Sequence, residues 1–212
     1  MAWSRPILRR VLVALHLGCG PRATGRRWPV QRFVQLAERL RAAELADKIV
    51  LTGTPDEQPL IAEFMGTFSG HVVDATGLGS IERTAEVLRR CQLAVSNDTG
   101  IMHLAAAMGP TVGLFGPNTP QRSAPVGPRA LAVYTTHVPC SPCIQVHQGI
   151  VPDCTHRETG RAACWTSTPT QSWRPRHACW GCRDAHPESE TFPILAVMRR
   201  VSRRQSGDVC LH

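Results

Sequence analysis

The chain has 212 residues and a mass of 23.2 kDa, which suits one domain with or without a tail. Its 42% hydrophobic and 19% charged residues, with 17 Gly and 17 Pro, exclude collagen, a coiled coil and a wholly disordered chain. No apolar run approaches the roughly 18 residues of a membrane-spanning helix. The formal net charge of +8 comes from 23 Arg and one Lys. It favours an anionic partner without choosing one, because the Arg residues are scattered.

The N-terminus has a superficial likeness to an export signal. Arg5, Arg9 and Arg10 precede the apolar stretch Val11–Leu15, and Cys19 follows. That stretch is too short for the apolar segment of a signal peptide. The sequence therefore predicts a cytosolic chain with reduced thiols, although it contains nine Cys.

Short apolar runs recur along the first two thirds of the chain and predict six buried strands. They are Val11–Leu15, Ile49–Leu51, Val72–Val73, Leu93–Val95, Val112–Phe115 and Leu131–Val133. Segments with helical spacing separate them: one helix follows Pro29, a second precedes Val72, a third begins at the cap residue Ser80, and a fourth spans Thr99–Met108. The predicted inward positions are Phe33, Leu36, Ala37 and Leu40, then Leu60, Ile61, Phe64 and Met65, then Ile81, Ala85 and Leu88.

This alternation is typical of an α/β domain with a doubly wound parallel sheet, here predicted over residues 11–136. Such sheets bind ligands beyond the carboxyl ends of their strands. Residues 166–191 contain almost no aliphatic side chains and are predicted to be irregular. Helical periodicity returns at 192–204, so a short helix is expected there.

The segment Ser96–Gly109 carries the strongest chemical signal. It follows a strand and opens a helix, and a helix N-terminus can hold a phosphate through its unpaired N–H groups. Gly100 would let the ligand approach the backbone closely. The plainer alternative is an ordinary helix capped by Asp98 or Thr99.

The residues from Asp98 to Gly109 read D-T-G-I-M-H-L-A-A-A-M-G, and Leu114–Pro117 reads L-F-G-P. With His16–Gly20 and Glu57 upstream, they resemble glycosyltransferase family 9, the lipopolysaccharide heptosyltransferases. The resemblance covers about residues 11–165. It implies the Rossmann-like, nucleotide-sugar-binding half of a two-domain GT-B architecture. Residues 166–212, beyond the resemblance, are predicted from their composition to be an irregular, Cys-rich tail.

The resemblance also implies a donor site. Asp98, Thr99, Gly100 and Ile101 would meet the donor diphosphate and sugar, with His103 beside the diphosphate. Thr24 and either Arg26 or Arg27 would supply a hydroxyl and a cation to the phosphates, and Glu57 would accept hydrogen bonds from the ribose. The alternatives are that His103 bonds to backbone, Glu57 is solvated, and the arginines are ordinary surface residues.

The implied reaction transfers a sugar from an ADP-heptose-type donor to a lipopolysaccharide core acceptor at the membrane surface, by an inverting, metal-independent mechanism. The implied location is the cytoplasm, including the inner face of the inner membrane. The family's N-terminal half, with its acceptor site and general base, has no counterpart in this chain. We therefore expect a donor-binding half that is inactive alone. It would be a gene fragment, the product of a mis-called start or one of two cooperating chains. We assign it no catalytic residue, cofactor or metal.

Late cysteines leave one further alternative. Two C-x2-C pairs, at Cys140 and Cys143 and at Cys179 and Cys182, flank Cys154 and Cys164 and could hold zinc. The 35 residues between the pairs exceed the usual ribbon spacing, so free or loosely paired thiols are preferred. The competing functions are a non-catalytic nucleotide-binding domain and a zinc-stapled, basic nucleic-acid-binding module. The preferred reading has no nucleic-acid partner.

Overall fold

The computed structural model describes residues 10–134, 142–143 and 171–173. Its centre is one seven-stranded sheet with the order β3-β2-β1-β4-β5-β6-β7. Strands β1 to β6 are parallel, and β7 runs antiparallel to β6. The strands are β1 Leu12–His16, β2 Lys48–Gly53, β3 Val72–Thr76, β4 Leu93–Asn97, β5 Thr111–Phe115, β6 Ala130–Tyr134 and β7 Gln171–Trp173.

In the described residues, five α-helices connect strands β1 to β6, with 3₁₀ turns at Pro21–Arg26 and Pro55–Glu57. The helices are α1 Val30–Ala42, α2 Gln58–Thr67, α3 Ile81–Arg90, α4 Gly100–Met108 and α5 Pro120–Ser123. The doubly wound parallel sheet predicted from the sequence is thereby confirmed, with all six predicted strands present. The predicted cap of α3 is present too, since Ser80 Oγ accepts the N–H of Arg83 at 3.3 Å.

The two faces of the sheet are filled differently. On one face, large side chains of α1 and α2, such as Phe33 and Phe64, pack against Leu15 and Leu51 of the strands. On the other face, α3 and α4 pack against the sheet through small residues, among them Ala105 of α4 and Ala14 and Ala94 of the strands. Alternate residues of each buried strand point to opposite faces, so both layers are covered. The alanines bring the backbone of α4 close to the sheet.

Two inward assignments from the sequence are wrong. Met65 is 48% exposed. It directly follows the buried Phe64, and successive side chains of a helix point about 100° apart, so Met65 points away from the core. Ile81 is 54% exposed and is the first residue of α3, directly after the cap residue Ser80. Leu88, two turns further along α3, is buried as predicted.

The strand order creates a crevice at one edge. After β1 the chain moves outward to β2 and β3, and after β4 it moves in the other direction to β5 and β6. The loops that leave the neighbouring strands β1 and β4 therefore diverge at the carboxyl edge. That switch point is where open α/β sheets bind ligands.

The tail is described only in part. Strand β7 lies within 166–191, the range predicted to be irregular; pairing with the free edge of β6 requires backbone groups rather than aliphatic side chains. Several other predicted features lie outside the described residues. They are the rest of that range, the domain boundary near 165, the helix expected at 192–204, and Cys140, Cys154, Cys164, Cys179 and Cys182. Among the described residues, no helix is long and apolar enough to cross a membrane.

Candidate functional site

The loop after β1 is fastened to the end of β4 by a single amide. Asn97 is completely buried, and its Nδ2 donates to the carbonyls of Leu17 at 2.8 Å and Gly18 at 3.1 Å. Its Oδ1 accepts the N–H of Trp28 at 2.9 Å. Asn97 thus joins the first and last residues of the loop that contains Arg26. It fixes that loop relative to the start of α4, which follows three residues later.

An ion pair joins the same two segments. Arg26 Nη1 donates to Asp98 Oδ2 at 3.0 Å, with the two side chains 19% and 6% exposed. The same oxygen accepts the Nδ2–H of Asn118 at 2.5 Å, from the loop after β5. Three loops at the carboxyl edge therefore meet at one carboxylate. Asp98 holds Arg26 beside the N-terminus of α4.

Arg27 has a different environment from Arg26. Its Nη2 donates to the carbonyl of Gly20 at 3.3 Å, so the side chain folds back onto its own loop. Burial raises the pKa of the Cys19 thiol, and the nearby Arg27 guanidinium offsets this only in part. The sequence left open which arginine serves the phosphates. Of the two, Arg26 lies beside the helix start, through its bond to Asp98, and its contact with a phosphate stays a prediction.

Helix α4 begins as a polar, accessible N-terminus. Thr99 is its cap residue, and Thr99 Oγ1 accepts the N–H of Met102 at 3.4 Å. The first N–H groups of a helix have no carbonyl partner within it, and those of Gly100 and Ile101 come before the capped one. A Cβ added to Gly100 would meet no atom within 4 Å. The helix start is therefore open to a ligand.

Glu57 is buried rather than solvated, with 3% exposure. Its Oε1 accepts the N–H of Gly20 at 3.2 Å, and its Oε2 accepts the N–H of Thr54 at 3.0 Å. Glu57 thereby connects the loops after β1 and β2. These contacts rule out the solvated alternative and give the carboxylate a loop-holding role, while contact with a ribose stays a prediction.

His16, the last residue of β1, is also buried. Its Nδ1 is 3.0 Å from the carbonyl of Thr52 and 3.2 Å from Thr52 Oγ1. Since a carbonyl only accepts, Nδ1 carries the proton. Desolvation lowers the pKa of His16, while the charge of Glu57 and the bond to Thr52 act in the opposite direction. His16 is therefore a neutral, structural histidine at neutral pH.

The predicted site residues lie along one edge of the sheet, but only some touch each other. Arg26 contacts Asp98, and Glu57 contacts the loop that carries Arg26. Thr24 and His103 are exposed on the 3₁₀ turn and on the first turn of α4. Among the described residues, no group of three or more His, Cys, Asp or Glu side chains could hold a metal ion.

Two amides in this network, Asn97 and Asn118, were not among the predicted site residues. Asn97 directly precedes the Asp98–Gly109 motif, and Asn118 directly follows the Leu114–Pro117 motif. Their proximity to these motifs was a signal. Their partners were not predictable, because they lie 20 to 80 residues away along the chain.

Curated proteins with similar sequences are heptosyltransferases. Lipooligosaccharide heptosyltransferase 2 of Haemophilus influenzae is 28% identical over 113 residues, which are 51% of this chain and 32% of that protein. Lipopolysaccharide heptosyltransferase 1 of Pseudomonas aeruginosa is 29% identical over 135 residues, which are 63% of this chain and 36% of that protein. The chain thus spans about a third of the length of these relatives.

Solved structures share the fold of this chain, and a family model identifies the family to which the chain belongs. The structure of Escherichia coli ADP-heptose lps heptosyltransferase II has a TM-score of 0.54 and 23% identity, covering 62% of this chain and 40% of that one. A glycosyl transferase family 9 protein from Veillonella parvula has a TM-score of 0.53 and 27% identity, covering 59% and 35%. The model of glycosyltransferase family 9 (heptosyltransferase) matches residues 9–150, well over half of the chain. The chain belongs to glycosyltransferase family 9.

Proposed function

We propose that this chain is the donor-binding half of a heptosyltransferase-type enzyme. It would bind a nucleotide-diphosphate sugar of the ADP-heptose type, for transfer of the sugar to a lipopolysaccharide core acceptor. The ion pair between Arg26 and Asp98 carries the proposal, because it holds a cation beside an open helix N-terminus at the switch point of the sheet. Those are the features that bind a diphosphate.

The chemistry of sugar transfer fits this arrangement. As the bond between sugar and diphosphate breaks, negative charge develops on the leaving diphosphate. Donors already in place stabilise such charge without the cost of reorganisation. We assign this role to the N–H groups of Gly100 and Ile101 and to the guanidinium of Arg26. A guanidinium has five N–H donors, and the bond to Asp98 uses one of them.

The remaining site residues have proposed roles around that centre. Thr24 and His103 are exposed and would approach the diphosphate from opposite sides of the crevice. Glu57 would face the ribose with the lone pairs that its bonds to Gly20 and Thr54 leave unused. Because Glu57 is buried, we expect its larger effect to come from holding the loop.

The acceptor half of the reaction requires groups beyond those described here. We propose that an acceptor-binding domain supplies the general base and the lipopolysaccharide site, at the cytoplasmic face of the inner membrane. The chain alone would then bind nucleotide without transferring sugar. Sugar transfer by the purified chain, without a second domain, would contradict this part of the proposal.

Isothermal titration of the 212-residue chain with ADP and UDP tests the donor site. We expect ADP to bind, and Arg26→Ala to weaken it by about 10- to 150-fold, since a charge-assisted hydrogen bond contributes about 1.5–3 kcal/mol. Arg41→Ala is the matched control: it removes the same charge from an exposed arginine in the last turn of α1, paired with Glu38. Equal ADP affinity in all three proteins would overturn the proposal.

A further inference from the structure

Asn118 donates a hydrogen bond to the carboxylate of Asp98, but it is not one of the residues proposed to contact the diphosphate. It is 3% exposed and lies in the loop after β5. Its Nδ2 donates to Asp98 Oδ2 at 2.5 Å and lies 3.4 Å from Ser123 Oγ. Asp98 Oδ2 also accepts from Arg26 Nη1 at 3.0 Å. One carboxylate oxygen therefore has two donors, which come from two different loops.

We propose that Asn118 is a positioning residue for the nucleotide diphosphate, acting through Asp98 on the guanidinium of Arg26. This inference rests on the proposed function, because it takes Arg26 as the cation that meets the diphosphate. Asn118 fixes the carboxylate from the β5 side, and the carboxylate fixes Arg26 from the β4 side. The loop of Arg26 thus does not set the position of the guanidinium by itself.

The burial of the three side chains supports this division of roles. Asn118 and Asp98 are almost inaccessible, whereas the side chain of Arg26 is 19% exposed. A ligand can therefore reach Arg26 but has little direct access to Asn118. Without the amide, Asp98 Oδ2 would have Arg26 as its remaining donor among the described residues. Its carboxylate would be freer to rotate and to draw the guanidinium inward, away from an incoming anion.

Two substitutions at this position should both weaken ADP binding, and one of them should do so only at high pH. Asn118→Ala removes the donor, and we expect ADP to bind about fivefold more weakly. Asn118→Asp puts a second carboxylate against Asp98, and at about pH 8 we expect a loss of roughly tenfold or more. At about pH 5 one carboxyl of the pair takes a proton, and its O–H replaces the lost N–H donor. The ADP affinity of Asn118→Asp should then return to within about threefold of wild type at the same pH.

Few other groups can imitate this pH dependence. Among the described residues, Arg26 is the charged side chain that contacts the pair, and it is present in both proteins. Ser123 on α5 contacts Asn118 through its hydroxyl and does not titrate there. His103 lies on the exposed surface of α4 and is present in both proteins. The ratio of variant to wild-type affinity at each pH therefore isolates position 118.

A double-mutant cycle tests the route of the effect. In an Asp98→Ala background, Asn118→Ala should change ADP affinity by less than about twofold, because the oxygen through which it acts is gone. Melting temperatures of all variants separate loss of fold from loss of positioning. If Asn118→Asp does not fold at about pH 8, then Asn118→Ala and the cycle still decide the question.

The outcomes distinguish this inference from the proposed function. Wild-type binding that depends on Arg26 but is unchanged by Asn118→Ala overturns the inference alone. An additive cycle, or an Asn118→Asp defect of equal size at both pH values, shows a merely structural role and also overturns it. No binding of ADP by the folded wild-type chain overturns both.

Discussion

Glu57 occupies the space that a side chain at Gly18 would need. A Cβ built on Gly18 would lie 1.6 Å from Glu57 Oε1 and 2.4 Å from Oε2. The carboxylate lies there because it accepts N–H groups from Gly20 and Thr54. Glycine at position 18 therefore lets one buried carboxylate connect the loops after β1 and β2.

Gly18→Ala should displace Glu57 and break both of these bonds. We expect the free energy of unfolding to fall by about 1–3 kcal/mol, as for other overpacked sites, and ADP affinity to fall with it. Urea denaturation and calorimetric titration measure the two effects. Gly66→Ala is the control, because a Cβ there meets no atom within 4 Å, and on helix α2 it should stabilise by about 0.5–1 kcal/mol. Unchanged stability in Gly18→Ala would show that Glu57 can move aside freely.

Asn97→Ala should reduce both stability and nucleotide binding. It leaves the carbonyls of Leu17 and Gly18 and the N–H of Trp28 without their partner, which should cost about 3 kcal/mol of unfolding free energy. ADP affinity should fall because the loop of Arg26 loses its attachment. Gln92→Ala is the matched control, because it removes an amide from the amino edge of the sheet, where Gln92 Oε1 accepts the N–H of Leu12. It should destabilise the protein and leave the ADP affinity of the folded fraction unchanged.

The stability of the fold should fall in mild acid because of His16. Burial depresses the pKa of His16 below its ordinary value of 6.5, so near that pH the unfolded chain takes up a proton more readily than the native one. The contribution is fully present above about pH 6.5 and is lost as the pH falls through the native pKa. Unfolding free energies at several pH values should show a shallower acid loss for His16→Gln. His71→Gln, at an exposed position, should keep the wild-type slope.

The sequence predicted the framework well because its signals are local. Runs such as Leu93–Val95 are buried on both sides of a parallel sheet and remain recognisable without knowledge of their neighbours. The capping-box spacing of Thr54 and Glu57 was also present in the sequence, but the bond from Gly20 to Glu57 spans 37 residues. Contacts of that kind decided which of Arg26 and Arg27 lies at the helix start. Residue type and spacing do not specify which side chain turns inward, so the hydrogen bonds of Asn97 and Asn118 emerged only from the three-dimensional structure.

Cys91 should resist alkylation until the protein opens. Burial raises its pKa from 9.0 to about 12, and its Sγ lies 3.4 Å from the carbonyl of Val87 at the end of α3. Because the thiolate is the reacting species, the raised pKa greatly reduces the reactive fraction of Cys91 at pH 8. Cys143 is less buried and serves as the internal comparison, with both sites followed by mass spectrometry of iodoacetamide-treated protein. We expect Cys143 to react directly, and Cys91 to react at a rate that rises with urea as the population of opened molecules rises. Comparable rates at the two cysteines in native buffer would show that the junction of α3 and β4 opens far more readily than its burial indicates.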